Sequence, residues 1–466
     1  MSKTVPNNLV DKMHKFSLKE LESFDLGSEG VSGKYSCLYN LESSEKYDPE
    51  RHSLESDMDT CDIYIHIPFC SRKCDFCVYS VTEGIKNKDN LIEGILDEME
   101  FYNDKDFSVT YLSVGGGSPS LLPLEDLEKI IEKAKDVFNT SNSSNIKIEL
   151  HPELVRKTDY NDYLKNLREI GFNQVSVGVE SFNNQILNNN NRGHSVEEAI
   201  ELVNTCKQVF ETVRIDILYG LEDQSINNWR KTIKKSLKLN IDYVCAYKVI
   251  KSSENVDSLR KKDLMQLMVL NTFLKAGGWY PEGHKDTEIR FRKIGENEEI
   301  KESNGRLKII GLGPSSFSIT DSYTALNSEN ITDYLENVSS NGVGVNLVNE
   351  FSFTDELIHC ILHNTMFNSF IDYTFFEKKF GIDFKKRFSK ELSLLKGKGL
   401  LELYDKKAVV TKKGLLRTNF LIKTFLPQDY LKKYKDFREN GGFNEAYLNQ
   451  QIINHPFGIQ LDEENI

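Results

Sequence analysis

Three cysteines lie close together in the sequence IHIPFCSRKCDFCVYS, at Cys70, Cys74 and Cys77. Thiolate sulfur is a soft ligand for zinc and for iron–sulfur clusters, and thiols can also pair as disulfides. The chain has eight cysteines in 466 residues, which is too sparse for a disulfide-stabilised scaffold. The other five are scattered along the sequence, and we interpret each as a small buried apolar residue. The clustered three therefore indicate a metal centre.

The spacing Cys-x3-Cys-x2-Cys distinguishes two kinds of metal site. Structural zinc is usually held by four ligands in paired Cys-x2-Cys units, and the sequence has no second pair. His66 could serve as a fourth ligand, but it falls inside a predicted strand. An iron–sulfur cluster held by three cysteines leaves one iron with an open coordination position for a substrate or cofactor. The spacing favours such a cluster, with zinc and chance clustering as the alternatives.

Charge and hydropathy narrow the class of protein. The net charge is −12 without a dense run of Lys and Arg, which disfavours a nucleic-acid ligand. No apolar run approaches the roughly 18 residues of a membrane span. The N-terminal residues are polar and lack the apolar core of a signal peptide. We therefore expect a cytoplasmic protein that acts on a small-molecule substrate, without nucleic acid or a membrane span.

Alternating strands and helices are predicted to position the cysteines. Strands are predicted at 62–69, 109–116, 146–153, 174–181, 213–220 and 242–250. Amphipathic helices are predicted between them, at 90–102, 124–138, 159–171, 196–210 and 226–240. The alternation indicates βαβ units and a parallel sheet, so the fold class is α/β, with six units forming a partial (β/α)6-type barrel. Chemistry in such barrels gathers at the C-terminal ends of the strands, and the cysteines follow the first strand directly.

The chain divides into four predicted segments. Residues 1–58 form a polar N-terminal extension with one helix near 16–24, and residues 59–320 form the barrel core. A further strand within 306–319 is expected to close or extend the sheet. Residues 321–430 are predicted to be a mostly helical, winged-helix-like domain with a β-hairpin around Asp405 and Lys406, or alternatively a generic α+β lid. Residues 431–466 read as a polar tail.

The cysteine motif, with the aromatic Phe76 before its last cysteine, resembles the signature of the radical S-adenosylmethionine (SAM) superfamily. Neighbouring segments resemble the oxygen-independent coproporphyrinogen III oxidases and their relatives, which include class C radical SAM methyltransferases. The similarity runs from about Tyr64 to about residue 425. It implies a radical SAM barrel under a coproporphyrinogen oxidase-like lid, one or two molecules of SAM, and a [4Fe–4S] cluster on Cys70, Cys74 and Cys77. It also implies SAM cleavage to a 5′-deoxyadenosyl radical, driven by a flavodoxin- or ferredoxin-type electron donor.

The resemblance assigns cofactor contacts to the first half of the barrel. The sequence GGGSPS resembles the family's glycine-rich segment, so Gly116, Gly117 and Ser118 would approach the methionine amino group, with Ser118 in place of the usual Thr. In IELHP, Glu149 corresponds to a carboxylate that binds the ribose hydroxyls, and a solvent-facing glutamate is the alternative. Phe76 would contact the cofactor beside the cluster.

Further cofactor contacts are implied in the second half. The segments VSVGVESF and NRGH resemble the family's Gly-x-Gln-Ser-Phe and Arg-x-x-His, which places Glu180 where the family usually has Gln. Arg192, twelve residues later, would pair with the methionine carboxylate. Asp216 in IDILYGL lies at another cofactor-contacting position. Tyr64, expected near a second SAM, is assigned both a cofactor-binding and a catalytic role.

The substrate is less determined than the cofactor. Cys245 and Lys248 stand where the oxidases have other polar residues, and residues 1–58 lack the oxidases' arginine-bearing segment. For this reason C-methylation of an aromatic, tetrapyrrole or quinone-like substrate is the first expectation. Oxidative decarboxylation of coproporphyrinogen III comes next, and a non-catalytic haem chaperone is the rival from a different class.

Overall fold

The structure is a computed structural model that describes residues 44–54, 59–77, 79, 81–105, 107–249, 256–284, 288–295, 308–415, 421 and 424–425. The predicted helix near 16–24 and the predicted tail at 431–466 lie outside the described residues. No helix within the described ranges is both long and apolar enough to span a bilayer.

The strands fall into one large sheet and two small ones. They are β1 (Glu45–Lys46), β2 (Thr60–Ile67), β3 (Phe69–Cys70), β4 (Thr82–Glu83), β5 (Ser108–Gly116), β6 (Asn139–Leu150), β7 (Gln174–Glu180), β8 (Thr212–Tyr219), β9 (Tyr243–Lys248), β10 (Trp279–His284), β11 (Glu288–Lys293), β12 (Ile309–Leu312), β13 (Phe317–Ile319), β14 (Tyr323–Asn327), β15 (Val345–Glu350), β16 (Phe370–Asp372), β17 (Leu401–Leu403) and β18 (Lys407–Val410).

The α-helices connect and cover these strands. They are α1 (Lys88–Glu100), α2 (Leu124–Val137), α3 (Tyr160–Ile170), α4 (Asn184–Asn189), α5 (Val196–Val209), α6 (Ile226–Lys238), α7 (Val256–Ala276), α8 (Ile331–Asn341), α9 (Phe353–His363), α10 (Tyr373–Phe380), α11 (Phe384–Arg387), α12 (Ser389–Gly397) and α13 (Lys412–Leu415).

The six predicted strands form the parallel centre of the large sheet, in the order β2-β5-β6-β7-β8-β9. The helices between them form because their apolar residues recur at helical spacing. In α2 the buried residues Leu127, Ile130, Ile131 and Ala134 lie on one face. Helix α5 begins at a capping box in which Ser195 and Glu198 exchange side-chain-to-backbone hydrogen bonds. The predicted α/β fold is confirmed.

The large sheet extends beyond the six strands at both edges. Strand β12 pairs parallel with β2, and β13, β14, β15 and β1 continue from it as antiparallel strands. At the other edge β11 pairs antiparallel with β9, and β10 follows. Within the described residues the sheet runs from β1 to β10 without closing. The architecture is therefore a partial barrel, as predicted.

Two separate hydrophobic cores bear on the domain division. The large core includes residues of β14, α8 and β15, such as Tyr323, Tyr334 and Val348. A second core begins at Leu357 and is built from α9–α13 with the small sheet β16-β18-β17. Its hairpin turns at 404–406, where the hairpin was predicted. We propose that the boundary between barrel and C-terminal domain lies near residue 351, later than the predicted residue 320.

A buried carboxylate joins the barrel's first helix to its added strands. Glu98 of α1 is fully buried, and its Oε1 accepts hydrogen bonds from Asn327 Nδ2 and Gly344 N at 2.8 Å each. Its Oε2 accepts from Gly313 N and Tyr334 Oη, also at 2.8 Å. Burial raises the pKa of Glu98 to about 7, and the four donors oppose that rise.

Candidate active site

The three clustered cysteines line one cleft at the C-terminal ends of the parallel strands. Cys70 ends β3, Cys74 is buried and Cys77 is half-buried, and all three are free thiols. Burial raises the pKa of the Cys77 thiol to about 11. Among the described residues, no three His, Cys, Asp or Glu side chains converge on one metal ion. Three thiols in one cleft match the donor set of a cluster with one open iron.

The cysteine loop is anchored by a segment from a different part of the chain. Asp75 N donates to Asn190 O at 3.2 Å, and Asn191 Nδ2 donates to Lys73 O at 2.9 Å. Within the loop, Cys77 N donates to the carbonyl oxygen of Cys74 at 3.1 Å. The turn after α4 therefore fixes the backbone that presents the thiols.

The glycine-rich segment after β5 lies against the same loop. Gly117 N donates to Ile67 O at 2.8 Å, and Ser118 N donates to Phe69 O at 2.6 Å. A Cβ at Gly117 would lie 2.5 Å from Phe69 O, and Gly116 has a φ of +107°. Position 117 has no room for a Cβ and position 116 requires a positive φ. Both positions therefore favour glycine, which lacks a Cβ and tolerates positive φ. The hydroxyl of Ser118 lies 3.8 Å from the sulfur of Cys70.

Glu149 lies near the end of β6 and faces the glycine-rich segment. Its Oε2 accepts a hydrogen bond from Gly116 N at 3.2 Å. Its Oε1 lies 3.3 Å from the Nζ of Lys147, whose side chain is 9% exposed. Lys147 was not predicted from the sequence, because a single lysine in a strand carries no motif. Glu149 makes both contacts while its side chain stays 32% exposed, and it lines the cleft.

Glu180 and Arg192 form an ion pair inside the cleft, with 3.1 Å between Glu180 Oε1 and Arg192 Nη2. The same Nη2 donates to Gly178 O at 2.9 Å, and Nη1 lies 3.6 Å from Cys74 Sγ. Glu180 has a φ of +59°, a left-handed conformation that is rare outside glycine. Burial raises the pKa of the Glu180 carboxyl to about 7, although Arg192 opposes the rise.

Asp216 presents its carboxylate to the cleft from β8 and is held on both oxygens. Ser176 Oγ donates to Oδ2 at 2.6 Å, and Arg214 Nε donates to Oδ1 at 2.8 Å. Arg214 also donates to the hydroxyl of Tyr247. Arg214 and Tyr247 were not predicted as site residues, although Tyr247 lies in the same strand as Lys248. Period-2 alternation along β8 places Arg214 on the same face as Asp216.

Tyr64 is placed differently from the other predicted site residues. It is buried and does not line the cleft, and its hydroxyl lies 3.0 Å from His66 Nδ1. His66 is fully buried, and burial lowers its pKa to about 4, so the imidazole is neutral at pH 7. Phe76 lines the cleft and packs against the apolar cluster that contains Leu218 and Val249.

The cleft encloses about 1290 Å³, including open solvent. Every predicted site residue except Tyr64 contributes to its wall: Cys70, Cys74, Phe76, Cys77, Gly116, Gly117, Ser118, Glu149, Glu180, Arg192 and Asp216. The wall also includes residues that sequence reasoning did not select, among them Arg72, Tyr79, His151, Ser176 and Tyr247. Lys248, noted as a departure from the family, lines it as well.

Comparison with protein families matches both parts of the chain. The model of the radical SAM superfamily matches residues 64–235, and the model of the HemN C-terminal domain matches residues 362–417. The oxygen-independent coproporphyrinogen III oxidase of Salmonella typhimurium is 25% identical over 386 residues, covering 76% of this chain and 82% of the relative. The heme chaperone HemW of Buchnera aphidicola is 31% identical over 195 residues, covering 40% of this chain and 50% of that protein.

A solved structure has the same fold. Coproporphyrinogen III oxidase (HemN) from Escherichia coli superposes with a TM-score of 0.71, covering 89% of this chain and 99% of that one at 22% identity. The matched family models, the fold and the clustered thiols all indicate the same kind of enzyme. The chain contains a radical SAM domain at residues 64–235 and a HemN C-terminal domain at residues 362–417, and it resembles the HemN-like enzymes. It is an enzyme whose cofactors are a [4Fe–4S] cluster and S-adenosylmethionine.

Proposed function

We propose that this enzyme oxidatively decarboxylates the propionate side chains of a reduced tetrapyrrole such as coproporphyrinogen III. The observation that carries the proposal is the similarity to coproporphyrinogen III oxidases over 76% of the chain, together with the match of residues 362–417 to the HemN C-terminal domain. The comparisons favour this function over C-methylation, which was the first expectation from the sequence. The enzyme would then be an oxidoreductase.

The roles of the site residues form part of the proposal. Cys70, Cys74 and Cys77 would hold the cluster, which together with bound SAM supplies a 5′-deoxyadenosyl radical. Arg192 would bind the carboxylate of SAM, and Glu149 and Asp216 would accept hydrogen bonds from its ribose hydroxyls. The partners of Asp216 hold its carboxylate in one orientation, so little motion remains to be restricted when SAM binds.

Tyr64 takes a positioning role in this proposal. Its hydroxyl contacts His66, and a Cβ at Gly116 would lie 2.6 Å from the His66 ring. Tyr64 therefore supports the imidazole against which the glycine-rich segment packs. This differs from the direct catalytic role expected from the sequence.

The reaction balances for each propionate. Removal of one hydrogen atom from the carbon next to the ring, followed by loss of CO₂ and one electron, would leave a vinyl group. The electron must pass to a one-electron acceptor, and a flavodoxin- or ferredoxin-type protein would supply the electron that cleaves SAM. Arg72 and Lys248 line the cleft and offer cationic groups to the remaining carboxylates of the substrate.

Anaerobic turnover with SAM, a low-potential reductant and coproporphyrinogen III tests the proposal. The expected products are 5′-deoxyadenosine, CO₂ and a tetrapyrrole that has lost carboxyl groups. S-adenosylhomocysteine formed together with 5′-deoxyadenosine would instead indicate methyl transfer. Stoichiometric haem binding without release of 5′-deoxyadenosine would indicate a haem chaperone, the second candidate, which the similarity to HemW favours.

The proposed cofactor contacts give a separate prediction. Glu149→Gln and Arg192→Ala should retain iron but weaken SAM binding by about 1.5–3 kcal/mol each, the usual value of a hydrogen bond to a charged group. Equilibrium dialysis of SAM against the reconstituted protein measures the loss. Arg168→Ala removes a surface arginine paired with Glu211 and should leave the affinity unchanged. Wild-type affinity in both site variants would show that these positions do not contact the cofactor.

A further inference from the structure

The Glu180–Arg192 pair is built into the wall of the cofactor cleft. The two side chains are only 10% and 12% exposed. A Cβ at Gly178 would lie 2.6 Å from Arg192 Nη2 and 2.8 Å from Glu180 Oε1. Glycine at 178 therefore allows the two groups to meet, and the left-handed backbone of Glu180 fixes where its side chain begins. The local backbone thus favours this contact.

Arg192 has an incomplete set of partners. Its Nη atoms contact Glu180, Gly178 and Cys74, but its buried Nε makes no hydrogen bond to any residue that the structure describes. A buried guanidinium beside a cluster cysteine is suited to the carboxylate of SAM. Glu180 already holds one edge of that guanidinium, so an incoming carboxylate and Glu180 would share a single cation.

Two carboxylates face Glu180, Asp216 from β8 and Glu149 from β6, and both raise its pKa. Each has a cationic partner of its own, Arg214 for Asp216 and Lys147 for Glu149. The imidazoles of His151 and His194 lie near Arg192, and burial lowers the pKa of each, that of His194 to about 3, so neither adds a positive charge at pH 7.

We propose that Glu180 competes with the carboxylate of SAM for Arg192, so that binding of SAM is coupled to protonation of Glu180. The carboxylate of SAM would bring a further negative charge close to Glu180, and closely spaced carboxylates in a low-dielectric site do not all stay ionised. A protonated Glu180 stops competing for the cation and can donate a hydrogen bond to the incoming carboxylate. This inference depends on the SAM cofactor and not on the tetrapyrrole substrate.

The sign of the pH dependence follows from the burial of Glu180. Its carboxyl has a pKa raised to about 7, so it is already largely protonated below pH 7 and SAM binds without proton uptake. Above pH 7 the carboxylate must first take up a proton. The dissociation constant for SAM should therefore rise by up to about tenfold per pH unit above pH 7, the linkage of one proton.

The test compares wild type with Glu180→Gln, a neutral side chain of the same shape. The α-amino group of SAM has a pKa of about 8, so the affinity for SAM depends on pH for this reason as well. The informative quantity is therefore the ratio of the dissociation constants of the two proteins. Equilibrium dialysis of reconstituted protein with SAM, without turnover, measures that ratio between pH 6.5 and 8.5. The ratio of wild type to Glu180→Gln should increase with pH toward about tenfold per unit. A ratio that does not change with pH would overturn the proposal.

Calorimetry supplies an independent measurement if Glu180→Gln fails to fold or to hold iron. Titration of wild type with SAM at pH 8, in buffers that differ in ionisation enthalpy, gives the number of protons exchanged. Net uptake is expected, and net release would refute the coupling. Glu201→Gln, which neutralises an exposed carboxylate of α5, should behave like wild type. Arg192→Ala should remove the pH-dependent competition together with most of the affinity.

Discussion

Replacing any one of Cys70, Cys74 or Cys77 by alanine is expected to remove most of the iron from the reconstituted protein. The three thiols share one cleft, and two thiolates hold such a cluster poorly. Iron and sulfide analysis with the absorbance near 400 nm measures the loss. Reductive cleavage of SAM should fall with the iron, because it depends on the cluster.

Cys206→Ala is the matched control, because Cys206 is a fully buried thiol of α5 that lies in the hydrophobic core away from the cleft. It should cost some stability through a small cavity and leave the iron content unchanged. If all three cleft variants retained wild-type iron, the cluster assignment to these residues would be wrong.

Glu98→Gln is expected to destabilise the barrel by about 2–4 kcal/mol. The substitution preserves shape, but it turns one of the two carboxylate oxygens into an NH₂ group. Two buried donors would then face another donor, and each unsatisfied buried polar group costs about 1–3 kcal/mol. Both tryptophans, Trp229 and Trp279, lie in the large core, so their fluorescence during urea unfolding reports this unit.

The difference in stability between Glu98→Gln and wild type should depend on pH, in a direction that follows from the pKa of Glu98. The folded-state pKa of Glu98 is about 7, above the ordinary value of a glutamate, so wild type loses stability as the pH rises from that ordinary value through 7. Glu98→Gln has no such group to titrate, so the difference in unfolding free energy between the two proteins should shrink from pH 5.5 to pH 8. Glu93→Gln, on the exposed side of α1, should have little effect at any pH. Equal stability of Glu98→Gln and wild type would contradict the role of the network.

The parallel part of the fold was predictable because its signal is local. Each strand is a short apolar run and each helix repeats its apolar residues at helical spacing, as α2 does with Leu127, Ile130 and Ile131. The hairpin β10–β11 and the strands β14 and β15 were not predicted. Their place in the sheet depends on long-range contacts such as Asn327 with Glu98, which are 229 residues apart. Neither apolar periodicity nor composition predicts a contact between residues that are so far apart in the sequence.

The site residues also divide into those that a local motif predicts and those whose contacts depend on the folded structure. The resemblance located Glu180 and Arg192 by motif, but their mutual contact depends on the positive φ of Glu180 and on the missing side chain at Gly178. Lys147 and Arg214 were missed because each acts by neutralising a motif carboxylate and belongs to no motif itself. Tyr64 was expected at the cleft, and only the structure shows its hydroxyl turned onto His66.

The anchoring of the cysteine loop bears on the order of assembly in the cell. The loop is held by backbone and asparagine hydrogen bonds to residues 190–191, and none of these bonds uses a cysteine sulfur. The loop backbone therefore has anchors that do not depend on bound metal, and we expect insertion of the cluster to follow folding of the barrel.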